Sequence, residues 1–395
     1  MTVAEQHYRV LELQPGASLE EIKQAYRDLA LVWHPDRFAN SPRLQKKALE
    51  KMKEINEAYE FLKTYRPDGA AATPAPETVP RPASSPPGRP QPTASEPFSD
   101  EVWRYRGHSA LVSSVAFAPN GRFVLSGGYD KTVRLWSVGT GLEVRWFLEH
   151  TSAVTGVAFA PDGRAALSGS MDRTLHLRDA ETKRELQFFA TSAVVSCVAF
   201  APDGREIAAG SLGEGVSLWE VGNGRKRARL EIPGYVNGVA FSPEGKRLAA
   251  GNADGEVGMY DRSSGQRILS IHVVRERGVQ MVNSVAFSPD ASLLLTGSPQ
   301  QIQLWRTVGG REVARIEVGE ASVHCLAFTP GGGHLLSGHA DGTVRLWDLE
   351  TRREQKVYTG HTEAVKCIAV SRDGKYGLSG SFDKTMRLWR LPAGV

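Results

Sequence analysis

Two kinds of residue set in this chain could do chemistry. The first is a His/Ser/Asp constellation. His108, Ser126, Asp130 and Trp136 recur at matching offsets as His361, Ser379, Asp383 and Trp389. Such a set can activate a serine hydroxyl for acyl transfer. It does so only with an open cleft and an oxyanion hole, and a set duplicated so far apart in the chain reads as a structural part. A third near-copy, His150, Ser168 and Asp172, has Arg178 where the others have tryptophan. No G-x-S-x-G, P-loop or H-E-x-x-H occurs. The cysteines Cys197, Cys325 and Cys367 form no C-x-x-C, so neither a zinc site nor a disulfide framework is indicated. The reading is a protein that is not an enzyme and that needs no metal and no cofactor. The second set is the tripeptide His34-Pro35-Asp36, which directly follows a helical pattern.

The elements that position the first set repeat. Val157-Ala158-Phe159-Ala160-Pro161-Asp162-Gly163 is an apolar strand entering a tight turn. Copies begin at Val115, Val198, Val239 and Val285, and weaker ones at Leu326 and Ile368. The turn residues Pro119, Pro161, Pro202, Pro243, Pro289, Pro330 and Arg372 are spaced by 42, 41, 41, 46, 41 and 42 residues. A period in the low forties with about four short strands per repeat is the pattern of propeller blades. A valine stands three residues before every copy, from Val112 to Val365. One strand face carries Val, Leu or Ile and then Phe (Val370 in the last copy); the other carries Ser, Gly or Cys and then alanine. Alternation along a strand therefore makes a bulky face and a small face. The bulky face of one blade is expected to fill the small face of the next.

The tripeptide belongs to a different architecture. Residues 4–13 read as a short helix. A second helix, capped by Ser18, carries the apolar stripe Ile22, Tyr26, Leu29 and Trp33, with Lys23 and Arg27 off it. A third, after Pro42, aligns Ala48, Met52, Ile55, Tyr59 and Leu62. The two long helices zip into an antiparallel hairpin with His34-Pro35-Asp36 at its tip. Residues 67–98 hold ten prolines and almost no large apolar side chain, and read as a disordered linker. The fold class is thus multidomain, α and all-β: a helical hairpin at 1–66, a Pro/Ala-rich linker at 67–98 and a seven-bladed β-propeller at 99–395. The last repeat stops one strand short, and 101–106 resembles the outer strands, so that segment is expected to complete the seventh blade.

The net charge of +4 is spread along the chain, and no segment is basic enough to call for nucleic acid. The N-terminal residues are polar and no apolar run approaches membrane-spanning length, so the expectation is a cytoplasmic protein without a membrane partner.

Through Ile22 to Ala30, His34-Pro35-Asp36 and Ile55-Asn56-Glu57-Ala58-Tyr59, residues 5–66 resemble the J-domain family. The resemblance implies docking on a DnaK-type (heat-shock-70) chaperone and stimulation of its ATPase. His34, Pro35 and Asp36 would be the activating loop, and Lys23 and Arg27 the docking charges. Asp28 and Val32 stand where the family is often basic, which implies slower and weaker charge-steered docking. Residues 101–391 resemble the WD-repeat family: Gly107-His108 and Gly360-His361 match its Gly-His element, and Trp347-Asp348 is a literal Trp-Asp pair. In that family the His/Ser/Asp/Trp set is a buried hydrogen-bonded network, and partners often bind the face where the second strand turns into the third. The slot there reads Tyr129, Met171, Leu212, Ala253, Ser298, Ala340 and Phe382. Phe382, Tyr129, Met171 and Leu212 form an apolar arc suited to an unidentified protein client. The rival reading is an interaction scaffold whose J-domain is weak or vestigial.

Overall fold

A computed structural model of the chain describes residues 3–17, 21–22, 25–26, Leu29, Lys51, 54–55, 57–59, 61–62, 100–275, 278–279 and 281–395. The described residues fall into two compact units, within 1–95 and 96–395. The linker expected at 67–98 lies outside the described residues.

In the first unit a helix spans Val3–Val10, shorter than the 4–13 read from sequence. Its end is set by Glu12, whose φ of 57° turns the chain out of the helix. The Leu13 N–H then reaches back to the Tyr8 carbonyl at 2.8 Å and satisfies a terminal acceptor. The described positions of the two later stripes are helical. Ile22, Leu29, Ile55, Ala58 and Leu62 bury together with Tyr8 and Leu11, and Tyr26 stacks on Tyr59 with ring centroids 4.3 Å apart. The two apolar stripes therefore meet in one core, as their spacing requires.

The second unit is seven four-stranded antiparallel sheets. Each sheet is one propeller blade, and the chain runs from the innermost strand of a blade outward. The innermost strand ends in the repeated turn. In the second blade the Gly163 N–H donates to the Ala160 carbonyl at 2.8 Å and Gly163 holds φ +73°. Positive φ is cheap for glycine and costs other residues. Blade 5 has Ala291 in this place and still adopts φ +58°, because the two strands it joins fix the turn. The 46-residue spacing before blade 5 has a local cause. A two-stranded hairpin, Val274–Arg275 with Gly278–Val279, is inserted there.

Adjacent blades pack bulky face on small face. Val154, Val157 and Phe159 of blade 2 bury against Leu125, Val133, Leu135 and Phe147 of blade 1, with Ala116 beside them. The fit leaves no room for a larger residue on the small side. A Cβ on Gly127 would lie 2.6 Å from Val154 Cγ1, and one on Gly156 would lie 2.9 Å from the Val198 backbone nitrogen.

The ring closes between chain segments distant in sequence. Glu101–Arg106 pairs antiparallel with Thr385–Arg390, as the fourth strand of the seventh blade. Tyr105 is 2% exposed and joins Leu378, Met386 and Leu388 of blade 7 and Trp136 of blade 1 in one core. Its ring meets Trp136 edge-on at 5.5 Å. Trp103 donates its indole N–H to the Val138 carbonyl at 2.8 Å. Arg387 pairs with Glu101, and Lys356 with Asp100 at 2.7 Å. This strand therefore ties blade 7 to blades 1 and 6.

Truncating Tyr105 should cost about 3 kcal/mol or more, the range for a buried aromatic. A propeller beginning at Gly107 should melt far below the full chain, since it leaves an unpaired edge on blade 7. Calorimetry of both variants checks this; melting temperatures equal to that of the full chain would contradict the closure.

Candidate interaction surfaces

The His/Ser/Asp sets are brought together by the blades. In blade 1, His108 comes from the segment before the innermost strand, Ser126 from the second strand and Trp136 from the third. His108 Nε2 lies 2.7 Å from Ser126 Oγ and Nδ1 2.9 Å from Asp130 Oδ2. The Trp136 indole N–H donates to the same hydroxyl at 2.8 Å. Blade 7 repeats this with His361, Ser379, Asp383 and Trp389 at 2.8 Å for each of the three bonds. His108 and His361 are 7% exposed, and Ser126 and Ser379 are fully buried. A serine hydroxyl already bonded to an imidazole and an indole, with no opening above it, is a strut between strands.

The network's charges are fixed accordingly. Although burial opposes ionisation, the His108 hydrogen bond and charge hold the Asp130 carboxyl well below the usual carboxylate range. His361 in turn does the same for Asp383. Burial pushes the imidazoles of His150 and His361 down against the pull of Asp172 and Asp383.

The other blades vary the scheme in readable ways. Blade 2 keeps His150 at 2.9 Å from both Ser168 and Asp172, and Arg178, in the tryptophan position, pairs with Glu149. Blade 6 draws its histidine from the second strand itself. His339 Nε2 lies 2.7 Å from Ser337 Oγ, which also accepts from the Trp347 indole at 2.7 Å. Burial pushes His339 down to about 4. Blade 3 has Ala209 in the serine position, and the buried Trp219 indole N–H is left without a partner.

The face at the start of the innermost strands carries the slot residues. In six blades the backbone N–H in the slot donates to the carbonyl of the residue preceding the innermost strand, for example Tyr129 to Leu111 at 3.0 Å and Phe382 to Ala364 at 3.0 Å. Tyr129, Leu212 and Phe382 are 39%, 51% and 37% exposed, and Met171 is half-buried. The sequence alignment slips in blade 5. Ser298 is the last residue of the second strand and is buried, and Pro299 takes the slot. The cause is a two-residue loop between Leu293–Ser298 and Gln301–Arg306, shorter than the four-residue loop 129–132 of blade 1.

Sequence reasoning missed a second apolar row on this face. The residue just before each repeated valine includes Leu111, Val194, Tyr235 and Met281. Met281 is 46% exposed, and Leu212 bridges to Tyr235 through the backbone. The signal was the fixed offset from the valine. The hairpin-tip and docking residues Lys23, Arg27, His34, Pro35 and Asp36 lie outside the described residues. Among the described residues no helix is long and apolar enough to cross a membrane.

Seven antiparallel blades closed by the first strand, most of them fastened through the serine or the tryptophan position, define a propeller of the WD type, carried on one chain with a small helical unit. The WD domain, G-beta repeat family matches seven segments, 99–137, 142–179, 183–220, 226–261, 267–306, 311–348 and 352–390, and the chain belongs to that family. The DnaJ domain family matches residues 6–67. That region is 53% identical over 57 residues to the chaperone protein DnaJ of Fusobacterium nucleatum subsp. nucleatum, covering 14% of each chain. It is 50% identical over 62 residues to the chaperone protein DnaJ of Clostridioides difficile, covering 16% of this chain and 15% of that one. It is also 50% identical over 56 residues to mouse DnaJ homolog subfamily B member 8, covering 14% and 23%. The match thus spans between about a seventh and a quarter of these relatives' length.

Because a buried neutral histidine resists protonation, the unfolded chain takes up protons first as pH falls. Stability should therefore drop as pH falls from about 6.5 toward about 4, the range in which His339 stays neutral only in the fold, and His150 and His361, also lowered by burial, add to the fall. It should drop further below about pH 4, as Asp130 and Asp383 begin to protonate in the unfolded chain. His339→Gln should flatten the first part of that fall in melting temperature; an unchanged slope would show that His339 is protonated in the folded state.

Proposed function

We propose that the protein is a J-domain co-chaperone that stimulates the ATPase of a DnaK-type (heat-shock-70) chaperone and brings it a protein held by the propeller. The observation that carries this reading is His34-Pro35-Asp36 standing between two stripes whose described residues form one helical core. A hairpin core needs no such tripeptide at its tip, so its presence points to a partner. His34, Pro35 and Asp36 contact and activate that partner, and Lys23 and Arg27 supply the steering charge. The names of the curated relatives, chaperone protein DnaJ among them, support the same reading. The families found are usually non-enzymatic, so the ATP turnover belongs to the partner. Its compartment is the cytoplasm.

The propeller supplies selectivity. Tyr129, Met171, Leu212 and Phe382 sit on one face at equivalent positions of blades that adjoin around the ring, and aromatic side chains of this kind anchor protein interfaces. Tyr235 and Met281 extend the same face. The client is a protein segment with exposed apolar side chains. The scaffold reading, with a silent J-domain, draws on Asp28 and Val32, and ATP turnover separates the two.

Single-turnover ATP hydrolysis by a DnaK-type chaperone should accelerate with the full chain and lose that acceleration in His34→Gln, with no change in melting temperature. No acceleration by the unmodified protein at saturation would leave the scaffold reading standing. Tyr129→Glu combined with Phe382→Glu should reduce client capture at least tenfold, or about 1.4 kcal/mol, while ATPase stimulation persists. Full retention of captured proteins would move the binding surface elsewhere.

A further inference from the structure

The innermost strands enclose a cavity of about 310 Å³ on the ring axis, lined by residues of all seven blades. What lines it is set by a repeated backbone irregularity. In six blades the register slips just after the repeated valine, as between Val112 and Ser114 or Val365 and Cys367. Such a bulge leaves one residue out of the ladder and re-aims its side chain. That residue is polar in every blade, Asn283 holding the same place in blade 5. In blades 1 to 5 it stitches to the next blade. Ser113 donates to the Val154 carbonyl at 2.5 Å, Thr155 to Val195 at 2.8 Å, Asn237 to Val282 at 2.9 Å and Asn283 to Val323 at 2.7 Å; Ser196 donates to Val236.

The pattern changes at blades 6 and 7, where the bulge residues are His324 and Lys366. His324 leans toward the Val365 carbonyl, yet its Nδ1 is buried without a hydrogen-bond partner. The next carbonyl, Val112, is approached by the Cys367 thiol at 3.6 Å, and Lys366 is exposed and lines the cavity. Among the described residues the cavity wall contains no carboxylate. A lysine facing a partly enclosed space with no counter-charge on the wall attracts an anion more strongly than it would in open water. Lys366 also adds to the effect of burial in lowering the affinity of His324 for a proton. The blades on the His324 side have the other polarity. Asn237 and Asn283 each spend one Nδ2 hydrogen on a carbonyl, and each keeps its amide oxygen as an acceptor.

We propose that the axial cavity is an oxyanion site, in which Lys366 and His324 hold a carboxylate or phosphate group. Tyr129 and Tyr235 stand among the lining residues, so the site opens beside the apolar face of the propeller. The assignment is independent of the J-domain and of the client reading. Plain solvent-facing polarity would account for serine, threonine and asparagine in these positions. It does not account for a histidine whose Nδ1 is buried without a hydrogen bond, beside a lysine with no carboxylate on the cavity wall.

The test is titration of the full chain with sodium phosphate and, separately, sodium acetate, with sodium chloride at matched ionic strength as the baseline. Calorimetry gives affinity, and the ring resonances of carbon-13-labelled histidine, assigned by their loss in His324→Gln, give location. The expected result is a saturable shift of the His324 resonance by at least one oxyanion and not by chloride. Binding should weaken at least tenfold in Lys366→Gln and recover in Lys366→Arg. Phosphate alone would assign a phosphoryl ligand, and acetate alone a carboxylate ligand. Lys366 is exposed in the cavity, so Lys366→Gln should melt with the unmodified protein; if it does not, His324→Gln must itself weaken binding in calorimetry. No saturable response to either oxyanion, an equal response to chloride, or undiminished binding in the variants would overturn the site.

Discussion

The contact on which the propeller depends is the seating of one blade's valines on the glycines and alanines of the blade before it. Val154 and Val157 lie against Gly127, and the same relation recurs where Val282 and Val285 lie against Gly251. Close-packed interiors tolerate neither a void nor an extra methyl group at such a seam. A propeller has one seam per blade, and none can be left open without exposing a bulky face. That is why the chain must return its first strand to the last blade: Tyr105 and Trp103 complete a seam that the carboxy-terminal strands alone cannot bury. The insertion before blade 5 lies outside the seams, which explains why it disturbs the repeat spacing and leaves the packing intact.

Polar networks sit on top of this apolar scheme and are not uniform. Where the serine position is filled, as at Ser126, Ser337 and Ser379, the tryptophan indole has a partner. Where it is Ala209, the indole of Trp219 has none. Losing one such bond while keeping the packing costs on the order of 1–3 kcal/mol, which a ring held by many seams can absorb. Blade 2 replaces the aromatic with Arg178 and Glu149, trading ring packing for an ion pair. Geometry that looks catalytic on paper is thus a strand tie whose members can be exchanged blade by blade.

The sequence carried the seven repeats, their two faces and the two helical stripes, because each is a strict periodicity of residue size. Three features were less legible, each for a physical reason. The slot in blade 5 slipped by one residue, since a two-residue loop around Pro299 and Gln300 has no counterpart in the blades with the Asp-containing turn. The inward aim of Ser113, Asn237, His324 and Lys366 depends on a bulge, and a bulge leaves no mark in alternation except a polar residue after each valine. The helix end at Glu12 rests on a positive φ in a residue type that seldom adopts it, so no local signal announces it. The tripeptide His34-Pro35-Asp36 was legible only as a motif in context, since it has meaning through the helical stripes before and after it.

In the proposed co-chaperone, joining the two units on one chain raises the concentration of each at the other's partner. The most direct measurement is therefore of the proteins retained on a DnaK-type chaperone after one round of ATP hydrolysis. The intact chain is compared with an equimolar mixture of separate chains 1–95 and 96–395. The account predicts that both preparations stimulate hydrolysis, but that proteins recognised by the propeller load onto the chaperone much more efficiently with the intact chain. Equal loading by the mixture would contradict the claim that the propeller delivers what the J-domain commits.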